Sequence, residues 1–254
     1  MSTLQITHLG HGTNLLQIQG QNFLTDPVFS EKVFMFFKRR KPAGLAPETL
    51  PPLSAILVSH AHYDHLDIFS YKYFKTTIPI LVPKGLGGVV RKFLPNPVVE
   101  IPAGGKHQHQ GVEIHALPVQ HRGCRWVPIR HRAATAYLLK APEGCVYFCG
   151  DSGYGPHFKK AGETFPIDVA LLPIGGYHPR WWLKRQKMTP EEALQAFEDL
   201  QAKRMVPINW GVFDFWRENP EEAWKRLEAE VGKKGLAAKV RLLLPGESLN
   251  PEAR

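Results

Sequence analysis

Short apolar segments separated by turn residues run through most of the chain. Residues 55–59 (Ala-Ile-Leu-Val-Ser) form a continuous apolar run, which is typical of a strand buried on both faces. Residues 19–22 (Gln-Gly-Gln-Asn) lie between two such segments and predict a hairpin turn. The remaining segments that predict strands are 4–9, 14–18, 23–25, 80–82, 98–101, 112–117, 134–139, 146–149, 169–172, 206–208 and 240–244.

Two helices are predicted in the last third of the chain. Thr189 can cap a helix, Pro190 suits its first position and Glu192 completes a capping box, so a helix should run to about Gln201. A second helix is predicted over residues 220–231. Strands interleaved with a few helices predict a layered α/β fold. Because no linker-like stretch divides the chain, we expect a single domain over residues 1–254.

Composition narrows the general class of protein but does not identify a function. The chain is 43% hydrophobic and 22% charged, as is ordinary for a globular protein, and it carries a net charge of +9. That charge favours an anionic partner, although general solubility explains it equally well. The three cysteines, Cys124, Cys145 and Cys149, are odd in number and scattered, which favours a reduced, cytoplasmic setting. We expect neither a signal peptide nor a membrane span, because no suitable apolar run is present.

Four side chains of metal-ligand type follow the apolar run 55–59 directly. They are His60, His62, Asp64 and His65. His60 and His62 point the same way on an extended loop and can bind one ion, whereas Asp64 and His65 follow a bend and can face a second. Two ions about 3.5–4 Å apart can hold a bridging hydroxide and polarise the bond that is cleaved. Structural zinc sites usually contain cysteine, so this cluster predicts a catalytic metal centre.

Two further candidate ligands also follow predicted strands. His121 comes after the strand 112–117, and Asp151 comes after the strand 146–149. Each of them taken alone is as readily an ordinary loop residue. Because both lie just past an apolar strand, as the main cluster does, we expect all of them to converge at one edge of a sheet.

The spacing His-x-His-x-Asp-His, followed by a later histidine and aspartate, resembles the signature of the metallo-β-lactamase superfamily. Within it, the chain is most similar to the N-acylphosphatidylethanolamine-hydrolysing phospholipase D group. That similarity rests on the stretches 8–13, 24–30, 150–154, 173–177, 179–181, 190–193 and 210–211. The resemblance implies a four-layer αββα metallo-β-lactamase sandwich with the metals at one edge.

The resemblance also assigns roles to individual residues. It implies that the first metal is held by three histidines, that Asp64 and His65 hold the second, and that Asp151 bridges the two, so that Asp64 and Asp151 are the catalytic pair. The three histidines are His60, His62 and His121. His11 would lie beside the metals without binding them. The implied cofactor is zinc, as one or two ions, with manganese or iron as alternatives.

Two positions depart from the pattern of that group. Asn209 stands where the family has its final histidine and is a candidate metal ligand there, although an amide oxygen is a poorer zinc ligand than imidazole. We therefore expect the second metal to bind more weakly or another group, such as His178, to complete the site. Lys187 stands where the phospholipase D group has a histidine, and it suits an anionic group or a solvated surface equally well. The candidate substrate-binding residues are Gln186, Lys187, Tyr177, His178 and Trp181.

Aromatic and basic residues alternate in two segments outside the metal cluster. Residues 34–41 (Phe-Met-Phe-Phe-Lys-Arg-Arg-Lys) suit peripheral contact with a membrane, with rings at the acyl boundary and cations on anionic headgroups. Residues 181–185 (Trp-Trp-Leu-Lys-Arg) repeat the pattern. A helix end packed on the core with solvated charges is the alternative for 34–41. We expect a cytoplasmic protein that contacts the inner membrane face.

The resemblance and the charge together predict a metal-dependent hydrolase. Its favoured reaction is cleavage of a phosphodiester, such as that of an N-acylphosphatidylethanolamine-like phospholipid, by a metal-bound hydroxide. A lactonase or another carbon–oxygen ester hydrolase is the first alternative, and a non-enzymatic metal- or lipid-binding protein is the second, motivated by Asn209. Nucleic acid is a disfavoured partner, because nucleases of this superfamily generally carry a large inserted domain. The sequence does not indicate an oligomeric state.

Overall fold

The computed structural model describes residues 4–123, 133–214, 219 and 221–251 of the chain. Within that part, its strands are β1 (Gln5–Gly10), β2 (Thr13–Ile18), β3 (Gln21–Thr25), β4 (Lys32–Val33), β5 (Phe37–Lys38), β6 (Ala55–Leu57), β7 (Ile80–Pro83), β8 (Val98–Ile101), β9 (Lys106–His109), β10 (Val112–Leu117), β11 (Ala136–Ala141), β12 (Gly144–Phe148), β13 (Val169–Pro173), β14 (Arg204–Ile208) and β15 (Ser248–Leu249). Its α-helices are α1 (Gly87–Phe93), α2 (His157–Thr164), α3 (Arg180–Leu183), α4 (Pro190–Asp199) and α5 (Glu222–Lys234).

The strands form two large sheets and one short ribbon. The first sheet has the order β15-β1-β2-β3-β6-β7-β8, and the second has the order β14-β13-β12-β11-β10-β9. Strands β3, β6, β7 and β8 are parallel neighbours, as are β12, β13 and β14. Parallel strands that are buried on both faces read as continuous apolar runs, which is why the β6 and β13 segments show no alternation.

Three apolar clusters separate four layers. One cluster joins the inner faces of the two sheets, with Leu57 and Ile114 among its members. A second packs α2, α4 and α5 on the outer face of the second sheet through residues such as Phe158, Phe197 and Leu227. The third packs α1 on the outer face of the first sheet. The result is the αββα sandwich that the sequence predicted.

The two sheets are joined at the end where the candidate ligands lie. The buried hydroxyl of Tyr137, on β11, donates to the carbonyl oxygens of Val58 and Leu81 in the first sheet, at 3.1 Å in each case. Close by, His60 forms an isolated antiparallel bridge with Ala134. The loop that follows β6 is therefore anchored to both sheets before it reaches the histidine cluster.

Most of the predicted elements are confirmed, with small shifts at their ends. The capping box on α4 forms as expected, because Thr189 accepts from the backbone of Glu192 while the Glu192 side chain accepts from the backbone of Thr189. The expected strand over 240–244 is wrong. Val240 makes only an isolated parallel bridge with Met205, and the chain pairs with β1 later, through β15.

Several elements were not predicted. Strand β9 and helices α1 and α2 are each eight residues long or shorter, so their apolar period was too brief to identify. Residues 34–41 form the turn after β4 and continue through β5 instead of ending a helix. The short helix α3 lies where no element was predicted. Helix α5 begins at Glu222, and Pro220, where the sequence predicted its start, lies outside the described residues.

Two of the three cysteines lie on β12 or directly after it. Cys145 and Cys149 are buried free thiols, while Cys124 lies outside the described residues. Burial raises the pKa of the Cys145 thiol to about 12, which leaves it protonated and inert at neutral pH.

None of the helices in the described ranges has the length and apolar character needed to cross a membrane.

Candidate metal centre

The candidate ligands lie on loops at one edge of the sandwich. The His60–His65 loop follows β6, whereas His121 follows β10 and Asp151 follows β12. Strand β10 is antiparallel to β11, which is antiparallel to β12, so β10 and β12 end at the same edge. Residue 120 is also bridged to residue 153, which draws the two second-sheet loops together. The convergence that the sequence predicted is therefore present.

One group of donors combines three imidazoles with a carboxylate. It consists of His60, His62, His121 and Asp151, whose ligand atoms all lie within 4.8 Å of one another. The Nδ1 of His62 is 3.0 Å from the Nε2 of His60 and 3.2 Å from the Nε2 of His121. The Oδ2 of Asp151 is 3.5 Å from the Nε2 of His60 and 3.7 Å from the Nε2 of His121.

A second group lies on the other side of the same carboxylate. Its members are His11, Asp64 and His65, again with ligand atoms within 4.8 Å of one another. The Oδ2 of Asp64 is 3.0 Å from the Nε2 of His11 and 3.5 Å from the Nε2 of His65. The Nε2 of His65 is also 3.3 Å from the Oδ2 of Asp151, so this oxygen lies between the two groups.

These distances fit divalent cations. Two donors that each lie about 2.1 Å from one ion at the tetrahedral angle are about 3.4 Å apart, close to the separations in both groups. In addition, the Nε2 of His65 is buried and makes no hydrogen bond within the described part of the chain. An unsatisfied buried nitrogen is costly, and a cation between the carboxylates would satisfy it.

The protonation states of the first donor group suit metal binding, because ligands must offer a free lone pair, whereas His65 in the second group must release a proton to bind. Burial lowers the pKa of His60 well below its ordinary value, and burial lowers that of His121 to about 3. Burial opposes ionisation of Asp151, but the charges of Lys187 and His65 hold its pKa well below the usual range. Burial would likewise lower the pKa of His65, yet Asp151, Asp64 and Asp26 raise it to about 10 in the metal-free protein.

Neighbouring groups fix the orientation of two of these histidines. The Nδ1 of His65 lies 2.6 Å from the Oδ2 of Asp26, a fully buried carboxylate that also accepts from the backbone and hydroxyl of Ser59. The Nδ1 of His121 lies 2.9 Å from the carbonyl oxygen of Gln186. An acceptor at Nδ1 places the proton there and leaves Nε2 free to bind a metal.

The two residues that depart from the family pattern both contact Asp151. The amide nitrogen of Asn209 donates to Oδ1 of Asp151 at 2.8 Å, and the ammonium of Lys187 donates to Oδ2 at 2.5 Å. Both residues were predicted as site residues, and both lie at the centre. Their position gives each of them a contact with the shared carboxylate, which sequence spacing alone did not indicate.

The remaining predicted substrate residues are divided between two places. Gln186 and Trp181 line a groove of about 690 Å³ that opens beside His121. Tyr177, by contrast, is buried in the core against α5, where its hydroxyl lies 3.3 Å from Glu222. His178 is exposed and stacks on Tyr177, and it joins neither donor group. The structure therefore brings Gln186 and Trp181 toward the centre but not Tyr177 or His178.

Some residues of the centre were not singled out from the sequence. Asp26 supports His65, and its signal was its place in the Thr25-Asp26-Pro27 stretch directly after a strand. Ser59 donates to Asp26 and lies 2.8 Å from Nδ1 of His60, although it reads as the last residue of an apolar run. Arg122 lines the groove beside Lys184 and Arg185, which belong to the aromatic and basic segment 181–185 that the sequence indicated.

Comparison with known proteins agrees with this arrangement. A sequence model of the β-lactamase superfamily domain matches residues 21–210. The chain belongs to the metallo-β-lactamase superfamily. A metal-dependent hydrolase of the UPF0173 group from Methanopyrus kandleri is 30% identical over 96% of this chain and 99% of its own length. With its family and both donor groups in place, the chain is a metal-dependent hydrolase of the metallo-β-lactamase fold.

Two further relatives add detail. The N-acyl-phosphatidylethanolamine-hydrolyzing phospholipase D 1 of Caenorhabditis elegans is 34% identical over 84% of this chain, and the match spans 65% of that relative's length. Among solved structures, Igni18, a metallo hydrolase from Ignicoccus hospitalis, superposes with a TM-score of 0.72 at 23% identity and covers 98% of both chains. At that identity the likeness concerns the metallo-β-lactamase fold alone.

Proposed function

We propose that this hydrolase cleaves the phosphodiester of a phospholipid of the N-acylphosphatidylethanolamine type. One observation carries the proposal: a groove of about 690 Å³ is lined by the metal-ligand candidate His121 together with three cations and two exposed tryptophans. Grooves of this size hold most of a small ligand and fix it with a few polar groups. The groove therefore offers an anionic headgroup and an acyl chain separate contacts next to the metal ligands.

The groove is lined by two kinds of side chain. Arg122, Lys184 and Arg185 supply positive charge, and charge-assisted hydrogen bonds from such groups suit the oxygens of a phosphate. Trp181 and Trp182 are 86% and 62% exposed, which is unusual for such large apolar side chains. Their rings suit the boundary between headgroup and acyl chain.

The residues of the centre suit hydrolysis of a phosphodiester. A bound divalent metal supplies Lewis-acid polarisation of the phosphoryl oxygen and a water whose pKa is near 7. The ammonium of Lys187, next to Asp151, can donate a hydrogen bond to a phosphoryl oxygen and offset the negative charge that builds there. Asp64, held by His11, is placed to orient the attacking water. The three imidazoles of the first group suit zinc.

The named relative supports the same substrate class. The Caenorhabditis elegans protein with 34% identity is a phospholipase D that hydrolyses N-acyl-phosphatidylethanolamine. Residues 34–41 add a second surface of the right chemistry. Met35 and Phe36 are 80% and 68% exposed, and the Phe34 ring lies 5.1 Å from the ring of Tyr63 in the histidine loop. A peripheral position on the cytoplasmic face of an anionic membrane would bring both surfaces to the lipid.

A substrate panel tests the proposal. Purified protein loaded with zinc or manganese is assayed on bis(p-nitrophenyl) phosphate, on an N-acylphosphatidylethanolamine in mixed micelles, and on a lactone. We expect release of p-nitrophenol and of a lipid phosphomonoester. Asp64→Asn should lower both rates by at least about 100-fold, since that change replaces a charged metal ligand with a neutral amide. Turnover confined to the lactone would refute the phosphodiester proposal, as would full activity in Asp64→Asn.

A further inference from the structure

The residue that replaces the family's final histidine is joined directly to another histidine. The backbone N–H of Asn209 donates to the carbonyl oxygen of His11 at 3.2 Å. His11 lies in the turn between β1 and β2, and its side chain is buried with Nε2 3.0 Å from Oδ2 of Asp64. The position that lost an imidazole is therefore next to one supplied by a different part of the chain.

We infer that His11 binds the second metal ion in place of the missing histidine. On this view, His11 is itself a metal ligand of the second ion, together with Asp64, His65 and the shared Asp151. The inference rests on the metal site of the proposed hydrolase and is independent of its substrate. It replaces the expectations that His178 completes the site and that His11 lies beside the metals without binding them.

The donor distances carry this assignment. The Oδ2 of Asp64 is 3.0 Å from Nε2 of His11 and 3.5 Å from Nε2 of His65, and the latter is 3.3 Å from Oδ2 of Asp151. Two ligands of one tetrahedral ion are about 3.4 Å apart, so each separation matches an edge of one coordination shell. The first group shows the same range, from 3.0 Å to 3.7 Å.

The amide nitrogen of Asn209 is engaged in hydrogen bonds away from the second donor group. This nitrogen donates to Oδ1 of Asp151 at 2.8 Å and to the carbonyl oxygen of Gly150 at 3.3 Å. The amide oxygen faces Gly12, because a Cβ added at that glycine would lie 3.1 Å from the oxygen and 3.2 Å from Nδ1 of His65. This oxygen is buried and accepts no hydrogen bond within the described residues, but as a neutral amide it is a weaker zinc ligand than the imidazole of His11.

The backbone of the turn supports the same role. His11 has a φ of 54°, in the left-handed region that is uncommon for a residue with a side chain. Such conformations persist where the surroundings impose them, and they concentrate at functional sites. Here Gly12 leaves room beside the His65 ring, and the hydrogen bond from Asn209 holds the carbonyl oxygen of His11. The space at Gly12 and the hydrogen bond from Asn209 together orient the imidazole of His11 toward Asp64.

The experiment separates a metal ligand from a group that merely hydrogen-bonds to Asp64. Glutamine at position 11 can still donate to Asp64 but is a poor zinc ligand. Ions per chain are counted by elemental analysis after dialysis against zinc. We expect about two in the wild type and about one in His11→Gln. Two ions in His11→Gln would overturn the inference, as would a single ion in the wild type.

Two matched variants keep the result interpretable. His8→Gln changes another buried histidine of the same hairpin that joins neither donor group, and it should keep both ions. His11→Gln combined with Asn209→His restores the family's ligand and should regain the second ion. A double variant that still holds one ion would also overturn the inference. Because the readout is metal content, a failed search for a phospholipid substrate leaves it unaffected.

Discussion

The ammonium of Lys187 lies 2.5 Å from the Oδ2 of Asp151, the carboxylate oxygen that lies between the two donor groups. The amide of Asn209 donates to the other oxygen of that carboxylate. The two residues that depart from the phospholipase D pattern therefore contact the same side chain, that of Asp151. The change at 209 removes a ligand and adds a support, and the change at 187 adds a fixed positive charge next to the reacting position.

Replacing Lys187 by methionine should impair phosphodiester hydrolysis selectively. A hydrogen bond to a charged group contributes about 1.5–3 kcal/mol, so kcat/KM for a phosphodiester should fall by about 10- to 100-fold. A neutral lactone or carboxylic ester develops less negative charge and should lose less. Steady-state kinetics on both substrate types check this. Lys184→Met, which removes an exposed groove cation, is the control and should affect KM more than kcat.

An equal loss on charged and neutral substrates would contradict the assigned role of Lys187, because it would indicate general damage to the centre. Lys187→Arg adds a second check. Arginine keeps the charge but is longer and planar, so it should restore only part of the rate.

How far the centre could be predicted depended on whether its residues are contiguous. His60, His62, Asp64 and His65 lie within one loop, so their spacing indicated a metal cluster directly. The role of His11 could not be predicted in that way, since it comes from a hairpin about fifty residues earlier and depends on a left-handed turn. The burial of Tyr177 against α5 was equally hidden, because the sequence offered it as a substrate-binding residue and gave no sign of its packing.

Exposed tryptophans beside the groove should control binding to anionic vesicles. Replacing both Trp181 and Trp182 by alanine removes two large apolar side chains, each of which can contribute about 1.5–3 kcal/mol when buried in the membrane interface. We expect vesicle affinity to fall at least about tenfold in co-sedimentation with phosphatidylserine-containing vesicles. Phe93→Ala, on α1, removes an exposed ring outside the groove and should leave binding unchanged.

Salt dependence provides a further check on the membrane surface. Cations such as Arg185 and Lys184 would act through a field that is screened within about 8 Å at physiological ionic strength, so binding should weaken as salt is raised. Absence of binding at low salt would argue that the exposed aromatics serve another purpose.

The hydroxyl of Tyr137 should stabilise the docking of the two sheets. It is buried and donates to carbonyl oxygens of Val58 and Leu81 in the opposite sheet. Tyr137→Phe removes these bonds with little change in volume, so the free energy of unfolding should fall by about 1–2 kcal/mol. Chemical denaturation with an unchanged m-value would check it. An unchanged midpoint would mean that the hydroxyl contributes no net stability.

Acid should destabilise the metal-free protein partly through His8. Burial lowers the pKa of this histidine to about 4 from an ordinary value of 6.5. Between these values the unfolded chain binds a proton that the folded chain does not, so stability is full above 6.5 and falls as the pH decreases toward 4. The loss attributable to His8 is at most roughly 3 kcal/mol.

His8→Gln should therefore flatten the dependence of unfolding free energy on pH. Denaturant titrations at pH 7 and pH 4.5, with a chelator present in both, measure the difference for the wild type and the variant. The wild type should lose more stability between the two values. An identical pH dependence in the two proteins would show that His8 does not titrate differently on folding.

The fold was largely readable from periodicity, and the exceptions have physical causes. Strands such as β6 and β13 are apolar throughout because both of their faces are covered. The capping box on α4 is a local signal and was correctly identified. Residues 240–244 have the composition of a strand, yet beside β14 they form only one bridge. The chain then continues to β15, which pairs with β1. Pairing of that kind depends on tertiary context.

The wide spacing of the donors has a consequence for how the protein matures. His11 and Asp151 come from opposite ends of a long stretch of sequence and from different sheets, and β14 must then bring Asn209 to both. A nascent chain that has reached only the His60–His65 loop can offer an ion a few donors on a flexible segment. Tight metal uptake must therefore wait for both sheets to dock, and it distinguishes a finished chain from a partly synthesised one.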